Sequence, residues 1–68
     1  MSDEMKRNAQ RILAIEIDPI LRARIEELAS KANEGLLLSQ EREEYAALIE
    51  AGDLLAILKA KARRIISS

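Results

Sequence analysis

The chain has 68 residues with no cysteine and no histidine, so it holds one small domain at most and can build neither a disulfide nor the usual zinc site to staple it. At 49% apolar and 34% charged, with a formal net charge of −1, it is neither a disordered tail nor a molecule whose overall field would draw it onto nucleic acid. The apolar residues are almost all Ile, Leu and Ala, with Tyr45 the only aromatic and no Val or Phe, a composition that favours helices and predicts an all-α fold.

Met5, Ala9, Ile12 and Leu13 have helical spacing and predict a first helix over residues 3–14, capped by Ser2 or Asp3. The stretch Leu13 to Ile17 alternates like a short strand. No second strand candidate exists to pair with it, so the helix end is expected to run into an extended linker. Asp18-Pro19 then marks a helix start, because Asp caps orphan amides and Pro at the first helical position gives up an amide that has no partner there. Leu21, Ile25, Leu28 and Ala32 form its stripe, and Asn33-Glu34-Gly35 ends it near residue 33, with Gly35 free to turn left-handed. A third helix is expected from Ser39, or one residue earlier, to about residue 65, opening on Glu41, Glu43 and Glu44, where negative charge suits a helix start.

Gly52-Asp53 could split that third segment. A lone Gly costs only about 1 kcal/mol relative to Ala, and Tyr45, Leu48, Leu55 and Ala62 keep their phase across it, which favours one continuous helix. Gly52 lies on the same stripe and is expected to admit close approach of a neighbouring helix. The arrangement is a helical hairpin or three-helix fold in a single domain spanning 1–68, completed by oligomerisation or a partner.

The lengths do not match. At about 1.5 Å per residue the third helix is roughly 40 Å long and the second about 22 Å. Folded back from Gly35, the second helix reaches only to about Leu54. Beyond it lie Leu54, Leu55, Ile57, Leu58, Ala62 and Ile65, an apolar arc wider than one neighbour buries. The first helix could cover part of it. What remains is a candidate protein-binding face, flanked by Lys59, Lys61, Arg63 and Arg64. Five acids between Glu41 and Asp53, then four bases between Lys59 and Arg64, complement the helix dipole and offer a basic contact at the end.

Chemistry is sparse. Without His or Cys, and with no phosphate loop, nucleophile elbow or EF-hand spacing, the chain is expected not to be an enzyme and to need no cofactor or metal. The adjacent pairs Glu26-Glu27 and Glu43-Glu44 point about 100° apart on a helix and are expected on a solvated face. Direct nucleic-acid contact is the weaker reading: no aromatic interleaves the bases, and the helix after the turn opens on glutamates that phosphates repel. The apolar runs are far short of the roughly 20 residues that span a bilayer, and no signal peptide is evident. No membrane partner is expected, and the absence of cysteine is compatible with a reducing cytoplasm.

The segment Arg24 to Gly35, then Glu41-Arg42-Glu43-Glu44-Tyr45, then Ala51 to Arg63 resembles a family of small bacterial helical proteins of unknown activity. Their pattern runs R-x-x-x-L-A-x-K-x-x-E-G-x-L-T-x-E-E-R-x-E-Y, then G-D-L-L-A-x-L-x-x-K-A-R, and the likeness covers residues 19–64. Members of that family are often encoded beside HNH-type endonucleases, an arrangement similar to antitoxins or accessory subunits. The resemblance implies a bacterial nuclease as partner; a second copy of the chain is the alternative. This sequence departs at Leu36 and Leu38, where the family tends to have Thr. A Thr at the second position would cap the third helix; with Leu38 there, Ser39 is expected to cap one residue later, and the three leucines become a candidate contact.

Overall fold

The computed structural model describes residues 2–67, which form three helices: α1 (Asp3–Leu13), α2 (Pro19–Glu34) and α3 (Ser39–Ser67). Among the described residues there is no strand. The all-α expectation holds, and Leu13 to Ile17 is the end of α1 followed by an irregular linker. No helix is long and apolar enough to cross a membrane.

Local chemistry explains each boundary. The Ser2 side chain accepts a 3.2 Å hydrogen bond from the Met5 amide, capping α1. Asp18 accepts a 2.7 Å bond from the Ile20 amide, with Pro19 in the first turn of α2. Gly35 closes α2 at φ 71°. Its amide bonds to the Ala32 carbonyl and the Leu36 amide to Lys31, a paired closure that needs a left-handed residue at the position of Gly35.

α3 begins at Ser39 as expected, but its cap lies one residue earlier. The Arg42 amide bonds to the Leu38 carbonyl at 2.9 Å, so Leu38, not Ser39, occupies the capping position. Leucine has no oxygen with which to cap. Glu41 compensates from the third helical position, its carboxylate accepting the Leu38 amide at 3.2 Å. This is one arm of a capping box, and the other arm is missing.

The chain forms two compact units, residues 17–51 and residues 1–16 with 52–68. In the first unit α2 packs with the opening half of α3. Leu28 is its fully buried side chain at 0% exposure, with Arg24, Ile25, Ala32, Tyr45 and Leu48 half-buried. The other unit joins α1 to the closing half of α3. Ala9 and Ala62, each 1% exposed, are its buried residues, with Ile12, Leu13, Leu55 and Ile65 half-buried. Small side chains at the buried positions suit closely spaced helix backbones.

α3 runs unbroken through Gly52, as its apolar phase predicts. The reason expected for that glycine does not hold. A Cβ placed on Gly52 meets nothing within 4 Å, so no neighbouring helix presses on it. A stripe position fixes which way a residue points without fixing how near the next element comes.

A candidate protein-docking face

In the unit formed by α1 and the closing half of α3, one stripe of α3 turns inward. It consists of Gly52, Leu55, Lys59, Ala62 and Ile65, all buried or half-buried, at the three- and four-residue steps of one helix face. α1 is the other helix of that unit, and a single neighbouring helix covers about one such stripe. Leu54 and Leu58, one position back along the spiral, remain 59% and 41% exposed, and Ile57 is 53% exposed. The uncovered apolar surface expected beyond the reach of α2 is therefore present, narrowed to the side of α3 that α1 leaves open.

The ten residues marked in the sequence divide accordingly. Leu54, Ile57, Leu58, Lys61, Arg63 and Arg64 are exposed; Leu55, Lys59 and Ile65 are half-buried. Ala62 is interior and is open to no partner. Lys59 sits on the inward stripe, where its aliphatic stem can lie against apolar neighbours while the ammonium reaches water. Exposed leucines flanked by Lys61 and the two arginines form an apolar strip with a cationic end, suited to contact with a polypeptide.

The other unit carries most of the charge chemistry. The Arg24 guanidinium donates to both carboxylate oxygens of Glu44, at 3.0 Å and 2.8 Å, and to Glu27 at 3.1 Å, and lies 3.5 Å from Glu41. Lys31 donates to Glu41 at 2.7 Å. The partner on α3 moves from residue 44 back to 41 as that on α2 advances from 24 to 31, so the two helices run antiparallel. Hydrogen bonding to Glu44, then to Glu27, raises the pKa of Arg24. The bond from Lys31, then that from the Leu38 amide, holds the Glu41 carboxyl below its ordinary value, and the bond from Arg24 does the same for Glu44.

This network corrects the reading of Glu26-Glu27 and Glu43-Glu44 as wholly solvated pairs. One member of each, Glu27 and Glu44, binds Arg24. The available signal was Arg24 and Lys31 seven apart on α2, matched by Glu41 and Glu44 three apart on α3, charges that meet once the hairpin is drawn antiparallel.

Outside the docking face, Ile20, Leu36 and Leu38 are exposed, with Leu37 half-buried. Among the described residues no group of three or more carboxylates is placed to hold a metal ion, and no buried side-chain polar atom lacks a hydrogen-bond partner. Arg24, Lys31, Glu27, Glu41 and Glu44 thus pair within their own unit, while Lys61, Arg63 and Arg64 border exposed leucine and isoleucine along the end of α3. Compared with protein-family models, curated proteins and solved structures, the chain has no match.

Proposed function

We propose that the protein is a non-catalytic, protein-binding module that docks through the open side of α3, as an antitoxin-like or accessory subunit of a bacterial HNH-type nuclease. The observation that carries the docking reading is the exposure of Leu54, Ile57 and Leu58 on a helix whose neighbouring stripe is already covered. Covering what remains exposed of each recovers on the order of 1 kcal/mol, a sizeable gain for a domain this small. Lys61, Arg63 and Arg64 at the rim would steer an acidic partner surface toward the strip. The choice of a nuclease rests on the resemblance of Arg24–Gly35 and Ala51–Arg63 to proteins encoded beside such enzymes.

The test is capture of a purified bacterial HNH-type nuclease, using tagged wild type and Leu54→Asp. Leu54 is exposed, so its replacement leaves the folded core intact, whereas a charge at half-buried Leu55 would confuse lost binding with lost folding. Wild type should retain the nuclease, and the variant should lose it by about a hundredfold in affinity if Leu54 anchors the contact. Equal capture by both would place the docking face elsewhere, and no capture by wild type would remove the nuclease from the proposal.

A further inference from the structure

α3 carries a second stripe beside the inward one. Ala47, Ala51, Leu54, Leu58, Lys61 and Ile65 follow one another at steps of four, three, four, three and four, the alternation that keeps side chains along one seam between two supercoiled helices. All are exposed except Ile65, which is half-buried. The seam is small at its start and bulky toward its end. Laid antiparallel against a second copy, with Leu54 of one chain opposite Leu58 of the other, it sets Ala51 opposite Lys61 and Ala47 opposite Ile65. Every small residue then faces a long one.

The row bordering that seam points the same way. Glu43, Glu50, Ile57 and Arg64 recur every seven residues, and all four are exposed. In the register just described Ile57 meets its own counterpart at the two-fold axis, and Glu50 of each chain meets Arg64 of the other, with Lys61 close by. A parallel pair would instead set Lys61 against Lys61 and each seam alanine against its own copy, adding repulsion to voids. Charge and size complementarity along one helix thus select both the occupant and its direction.

We infer that the free protein covers the open side of α3 with a second copy of itself, as an antiparallel pair centred on Ile57. The inference rests on the reading of that side as a docking face and names its occupant when no other protein is present.

Sedimentation over a dilution series should show a dimer that dissociates to monomer. Leu54→Asp should be monomeric at every concentration with unchanged helical circular dichroism. Glu50→Arg should weaken the pair about tenfold, and adding Arg64→Glu to it should restore affinity to within about threefold, because each chain then offers the reversed pair. The chain has no native cysteine, so single cysteines give a further readout. Ile57→Cys should form a disulfide-linked dimer under mild oxidation, and Ala47→Cys should not. A wild type that stays monomeric throughout overturns the inference, as does crosslinking of Ala47→Cys as fast as Ile57→Cys, the mark of a parallel pair. A monomeric chain that still captures the nuclease would overturn self-pairing and leave the proposed function standing; a dimer that captures no nuclease would do the reverse.

Discussion

Leu38 shows how a single side chain can be wrong for its position and still be tolerated. It sits where the first turn of α3 needs an acceptor, is 67% exposed, and leaves the capping to Glu41. Leu38→Thr would restore the missing arm without uncovering any core, and should stabilise the protein by about 0.5–1 kcal/mol, read as a higher midpoint in thermal or urea unfolding. No gain would mean that the single arm from Glu41 already satisfies the turn. Its own half of the box is further reinforced by Lys31, so Glu41 joins the cap of one helix to the side of another. Leu36, by contrast, contributes its amide to the closure of α2 and leaves its side chain exposed.

At the level of elements, α3 is longer than either partner and changes partner along its length. Residues up to Ala51 fall in the unit with α2, and those from Gly52 onward in the unit with α1. Open space around Gly52 means that the residue brings the usual entropic cost of glycine in a helix with no packing return. Gly52→Ala should therefore raise unfolding free energy by about 1 kcal/mol, measured by chemical denaturation; a loss of stability would show that the space at residue 52 is not open. The helix ends were legible in the sequence because capping is local: Ser2, Asp18-Pro19 and Gly35 act within a few residues of themselves. The Arg24 and Lys31 bridges were legible only once the hairpin is drawn antiparallel, since they join residues 20 and 10 apart in the chain and depend on how two helices meet. The docking strip was half legible. An excess of leucine on α3 is visible in the letters, but separating outward Leu54 and Leu58 from half-buried Leu55 and interior Ala62 requires knowing which stripe α1 takes.

For the molecule as a whole, acid acts through the carboxylates of the unit formed by residues 17–51. Glu41 and Glu44 release their protons more readily in the fold than in the unfolded chain, because Lys31 and Arg24 bind their charged forms. The stabilisation is fully present above their ordinary value of 4.5 and is lost as pH falls through the lower values they have when folded. Thermal midpoints should be nearly flat from neutrality to about pH 5 and decline below it. Glu41→Gln should flatten that decline, and a variant with the same acid limb as wild type would show that the bridge adds nothing to stability. The only aromatic side chain, Tyr45, lies half-buried in the unit that holds these bridges. Tyrosine emission and near-ultraviolet dichroism therefore report on that unit directly, while the unit built on Ala9 and Ala62 has no aromatic chromophore. An acid transition followed through Tyr45 alone would describe half the molecule, and comparing it with far-ultraviolet dichroism, which senses all three helices, distinguishes one cooperative transition from two.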